Sequence, residues 1–72
     1  MAELRGERAG QFLETSCNRI AEDSTGWEVL FREMDSTTLW VQAYPNSEMH
    51  GGGEMLVTEI TEREARERFG SF

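Results

Sequence analysis

Residues 27–45 read Trp27-Glu28-Val29-Leu30-Phe31-Arg32-Glu33-Met34-Asp35-Ser36-Thr37-Thr38-Leu39-Trp40-Val41-Gln42-Ala43-Tyr44-Pro45, and the period of this stretch decides the fold class. Trp27, Val29 and Phe31 alternate with Glu28, Leu30 and Arg32; Leu39, Val41 and Ala43 alternate with Trp40, Gln42 and Tyr44. A period of two is what a strand imposes, because successive side chains point to opposite faces of the sheet. Between the two runs, Met34 to Thr38 is polar and rich in turn formers, short enough to join antiparallel neighbours as a hairpin. Pro45 has no N–H to give to a ladder and holds Tyr44 extended, so the second strand is expected to stop there.

Working outward, the segment from about Glu7 to Glu22 carries Ala9, Phe12, Leu13, Cys17, Ile20 and Ala21 at helical spacing, which predicts a first helix with one face on the core. Met55 to Ile60 is a third candidate strand. Thr61 and Glu64 form a Thr-x-x-Glu capping box, and the short helix it starts is expected to end at Gly70. On that helix Ala65 and Phe69 share an inward face, whereas Arg63, Arg66 and Arg68 point elsewhere, with Glu62–Arg66 and Glu64–Arg68 spaced as i,i+4 ion pairs. The order predicts an α+β fold: a small antiparallel three-stranded sheet with an N-terminal helix and a short C-terminal helix, one face of the sheet covered. With 72 residues there is room for one domain, residues 1–72, and one small core.

Composition bounds function. Fourteen acidic residues against seven arginines and no lysine give a net charge of −7. Nucleic acid and anionic lipid are disfavoured as partners, since phosphate binding needs a basic face, and basic proteins are favoured. The single cysteine, Cys17, rules out an internal disulfide, and with His50 as the one histidine a Cys/His zinc site lacks ligands. No metal and no cofactor are expected. The chain has no run of about 18 apolar residues and starts Met1-Ala2-Glu3-Leu4-Arg5, so a soluble cytoplasmic protein is expected.

Catalysis is not expected. His50-Gly51-Gly52-Gly53 repeats the four letters of an esterase oxyanion loop, but the Gly-x-Ser-x-Gly elbow and the large sheet such enzymes need are missing. Ser47, Glu48 and His50 are near neighbours on one loop, whereas a triad converges from separate elements. Neither a phosphate-binding loop nor any lysine is present. Cys17 on the apolar stripe reads as a buried, inert thiol. Trp27 is assigned to the core, whereas Trp40 and Tyr44 are left between the core and a binding patch on a hairpin face in a polar setting.

Gly26-Trp27-Glu28, Leu30, Leu39-Trp40, the run Tyr44-Pro45-x-Ser47-Glu48-Met49-His50-Gly51-Gly52-Gly53, Ile60-x-x-x-Glu64-Ala65 and Phe69-Gly70 together resemble the Immunity protein 27 family. The likeness covers about residues 26–70, and the Tyr44-to-Gly53 run is its specific part. It departs from the family's pattern at the turn Glu33–Thr38, where a proline-and-glycine turn is usual, and at Glu54-Met55, where prolines are. The resemblance implies a protein encoded beside a toxin of a bacterial polymorphic or contact-dependent system, neutralising it by binding in the producer's cytoplasm. An acidic surface would steer such an inhibitor onto a basic toxin domain, for example a nuclease. Glu33, Asp35, Tyr44, Glu48 and His50 are the expected contact residues. The alternatives are an acidic protein-binding adaptor without a toxin partner, or an enzyme subunit whose Glu48 and His50 are completed by an oligomer. Nothing in the sequence demands a homodimer or forbids one.

Overall fold

The hairpin on which the sequence reading turns is present in the computed structural model, which describes residues 2–44 and 54–70. Its strands are β3 (Val29–Glu33) and β4 (Leu39–Ala43), and the described residues also form β1 (Glu3–Arg5), α1 (Gly6–Ser16), β2 (Cys17–Glu22), β5 (Leu56–Ile60) and α2 (Glu62–Phe69). All strand pairs are antiparallel, in the order β1-β5-β4-β3-β2. The α+β class stands, but the sheet has five strands rather than the expected three.

Two local misreadings account for the difference. The expected helix from Glu7 to Glu22 ends at Ser16, and Cys17–Glu22 is a strand. Thr15 and Ser16 are poor helix formers, and the Thr15 hydroxyl donates to the Gln11 carbonyl at 2.7 Å, competing with the ladder. The helical spacing of Cys17, Ile20 and Ala21 is fortuitous: Cys17 packs with Ala9 and Leu13, whereas Ile20 and Ala21 pack in a second cluster. The register shift between Arg19 and Ala21, a bulge at Ile20, helps turn both toward that cluster. The other missed strand, β1, is three residues long with one apolar side chain, Leu4, too short for any period to show.

The two helices lie on opposite sides of the sheet, not on one. Ala9, Leu13, Cys17, Trp40 and Val57 form one cluster with α1, flanked by Leu4, Phe12, Phe31 and Met55. Leu30, Leu39, Val41, Ile60 and Ala65 form the other with α2, flanked by Ile20, Ala21 and Phe69. Central β4 is therefore covered on both sides, and Leu39, Trp40 and Val41 are all buried in sequence. Leu30 and Val57 are fully enclosed, each burial contributing about 1.5–3 kcal/mol.

The C-terminal helix forms as its signals predict. The Thr61 hydroxyl accepts from the Glu64 amide at 3.1 Å, and the Gly70 amide donates to the Arg66 carbonyl at 3.0 Å from a left-handed φ of 74°. Ala65 is buried and Arg66 meets Glu62 at 2.7 Å, as the spacing implies. Arg68 does not meet Glu64; it crosses to Glu28 at 3.6 Å. No helix among the described residues is long and apolar enough to cross a membrane.

Candidate functional site

The antiparallel hairpin gives the sheet two unlike ends. At one, the chain turns between β3 and β4; at the other, β3 begins and β4 stops. The sequence-predicted contact residues divide between them. Glu33 and Asp35 stand at the turn, and Tyr44 follows the last residue of β4. The five residues of β4 separate the two groups by about 17 Å of extended chain. Glu48 and His50 lie outside the described residues.

At the turn end, Glu33 belongs to the packing of the molecule. Its carboxylate accepts the Trp40 indole N–H at 3.2 Å and the Ser36 hydroxyl at 3.3 Å. Trp40, which the sequence leaves between core and binding patch, belongs to the core: it is only 7% exposed, with its ring edge-on to Phe12 at 4.9 Å between centroids. Its indole N–H would cost roughly 1–3 kcal/mol to bury unpaired, which is what Glu33 prevents. Glu33 also sits across the β2–β3 ladder from Cys17. Burial first, and then the Glu33 charge, push the Cys17 thiol up from its ordinary value, so the sulfur stays protonated and unreactive. The turn is tied to the helix by the Met34 amide, which donates to the Ser16 carbonyl at 2.7 Å. Asp35 is exposed beside it.

The opposite end carries aromatics. Trp27, expected in the core, is 66% exposed. The alternation misleads there because β3 begins only at Val29; Gly26, at φ 78°, turns the chain and Trp27 lies in the bend between strands. That bend is fixed by its own hydrogen bonds. Asp23 is the hub: its carboxylate accepts from the Thr25 hydroxyl at 2.9 Å and the Glu28 amide at 3.4 Å, and its amide donates to the Glu28 carbonyl at 3.0 Å. The Trp27 amide donates to the Thr25 hydroxyl at 3.2 Å. Against a partial loss of hydration that raises it, these donors hold the Asp23 carboxyl below its ordinary value.

Tyr44, 41% exposed, borders a hollow of about 510 Å³ lined by Gly6, Glu7, Gly10, Gln11, Glu14 and Met55. A second hollow of about 210 Å³ shares Gly10, Glu14 and Met55 and reaches from Leu13 on the helix to Phe31 and Gln42 on the sheet. Together they form a groove along α1, floored by apolar side chains and walled by carboxylates. Glu7, Gly10, Gln11 and Glu14 fall at i, i+3, i+4 and i+7, so one stripe of the helix faces the groove while Ala9 and Leu13 face the core. The sequence reading followed only the apolar stripe; the polar stripe beside it carried the signal for the groove. Among the described residues, five of the seven arginines sit in ion pairs, and Glu7, Glu14 and Glu54 make no ion pair or hydrogen bond. Among the described residues no cluster of three or more His, Cys, Asp or Glu side chains could hold a metal ion.

This arrangement has the parts of a protein-binding surface: exposed aromatics on a fixed framework, with uncompensated negative charge beside them. No curated protein and no solved structure matches the chain significantly. A family model, described as Immunity protein 27, does match, over residues 6–61, from the first residue of α1 through all of β2 to β5 to the cap of α2. The match takes in α1 and β2, upstream of the motifs noted in the sequence, and covers well over half of the 72 residues. The chain therefore belongs to the Immunity protein 27 family.

Proposed function

We propose that this protein neutralises a cognate toxin domain of a bacterial polymorphic or contact-dependent system by binding it in the cytoplasm of the producing cell. Family membership is the observation that carries this reading, since an immunity protein acts in a toxin system by engaging the toxin. The charge supports a basic target. A net −7 on 72 residues accelerates encounter with a cationic surface, such as the phosphate-binding cleft of a nuclease, and rejects like-charged partners. Binding without catalysis is sufficient for the role.

The proposed contact set is Glu33, Asp35, Tyr44, Glu48 and His50. Tyr44 is the member that the groove supports most directly, because it is exposed beside carboxylates that have no cationic partner among the described residues. Glu33 enters with a second duty, its hydrogen bond to Trp40. Its test substitution is therefore Glu33→Gln, which keeps an acceptor.

The deciding experiment is co-expression. The C-terminal domain of the large protein encoded directly upstream is expressed in a sensitive host with and without this protein. Survival only in its presence, with a complex that persists through size-exclusion chromatography, is the expected result. A toxic domain that kills equally in both cases, with no complex, sinks the reading. For the contact set, Glu33→Gln combined with alanine at the other four positions is expected to abolish rescue; full rescue by that variant removes the set.

A further inference from the structure

We propose that the end of the sheet carrying Trp27 and Tyr44, with the acidic groove along α1, is the surface that receives the toxin, and that it takes a basic segment, an arginine or lysine side chain entering between Glu7, Glu14 and Tyr44. This rests on the immunity reading above and names the site through which it operates.

Three independent observations meet at this end. The first is exposure: of the three large apolar side chains left in solvent among the described residues, Trp27 and Tyr44 leave the sheet together. Trp27 stands two residues before the start of β3 and Tyr44 directly after the end of β4, both at the end of the sheet where β3 begins and β4 stops. The third, Met34, is at the far end. The second observation is rigidity. The Asp23–Glu28 turn is closed by backbone and side-chain hydrogen bonds that do not involve the indole. Trp27 is thus displayed on a fixed support, which lowers the entropy lost when a partner covers it.

The third observation is charge. The cations nearest the Trp27 turn are already paired, Arg19 with Glu22 at 2.9 Å and Arg68 with Glu28 at 3.6 Å. Glu7 and Glu14 on the groove wall, and Glu54 against Gly6, have no ion-pair partner among the described residues. An arginine or lysine entering the groove would gain both carboxylates, an apolar floor of Phe31 and Met55 for its methylenes, and the Tyr44 ring as a cation–π partner. Gly10 keeps this space open. In mid-helix it costs about 0.5–1 kcal/mol relative to alanine. Yet its φ is not left-handed, and a Cβ there would meet only the Met55 terminal methyl at 3.9 Å, so no local packing requires glycine.

The test measures affinity for the upstream-encoded toxin domain, first shown to be toxic, by titration calorimetry at two salt concentrations. Trp27→Ala and Tyr44→Ala are each expected to weaken binding about 30-fold, the level of a central aromatic anchor. Glu7→Gln with Glu14→Gln is expected to weaken it about tenfold and to flatten its salt dependence. Arg63→Ala, on α2 across the sheet from the groove, is expected to stay within about threefold. Thermal unfolding of each variant reads folding separately, and none of these side chains is buried. Wild-type binding with Trp27→Ala and Tyr44→Ala unchanged overturns the assignment while leaving the immunity reading intact. No binding by the wild-type protein overturns both.

Discussion

The two faces of the sheet are built from different materials. The face under α2 is aliphatic: Leu30, Leu39, Val41 and Ile60 close over Ala65 with no polar group among the buried residues. The face under α1 is mixed. It holds Trp40 with its indole satisfied by Glu33, an edge-on Phe12 ring, a thiol, and a helix whose flank at Gly10 borders the groove. A small protein of this size has a narrow margin of stability. The contrast shows how it divides the work: one face supplies an aliphatic core, and the other a mixed core bordered by the acidic groove.

Three substitutions sharpen that contrast. The largest effect is expected at Trp40→Ala, about 3–5 kcal/mol of lost stability by chemical denaturation, because the ring is central to the α1 cluster and Glu33 loses its donor. A loss below 1 kcal/mol would mean that the α1 face does not carry core weight at all. Next is Gly6→Ala, expected to cost about 1–2 kcal/mol. Gly6 has φ 63°, and a Cβ there would lie 2.8 Å from a Glu54 carboxylate oxygen. The smallest effect has the opposite sign: Gly10→Ala is expected to gain about 0.5–1 kcal/mol, since only helix propensity changes. Two glycines four residues apart on one helix should thus respond in opposite directions. A destabilised Gly10→Ala variant would show that the flank is packed rather than open.

How much of this was legible in the sequence depends on how local each determinant is. The cap at Thr61, the stop at Gly70 and the β3–β4 hairpin were readable because each is fixed by residues within a few positions. The burial of Cys17 was readable although its element was not, since an apolar side chain points inward from helix or strand alike. β1 was invisible: its pairing with β5 joins Leu4 to Val57, a partnership no local period records. Trp27 failed for the reverse reason, since a local alternation persisted two residues beyond the strand that justified it. Of the proposed surface, Tyr44 stands out in the sequence as an aromatic in a polar run, and the structure leaves it exposed. The groove it borders does not stand out there, because a groove is defined by what two distant elements fail to cover.

The outermost strands have a consequence for how the molecule behaves in a crowd. An exposed strand edge is a template on which another chain can add. Here one edge, β1, is three residues long and bears the Glu3–Arg5 pair at 2.9 Å. The other, β2, is kinked by its bulge and carries Arg19 and Glu22, also paired at 2.9 Å. Short, charged and bent edges resist the stacking of strand on strand that leads to aggregates. A protein whose sheet ends in exposed tryptophan and tyrosine thereby keeps these apolar groups off its strand edges, where an association would propagate.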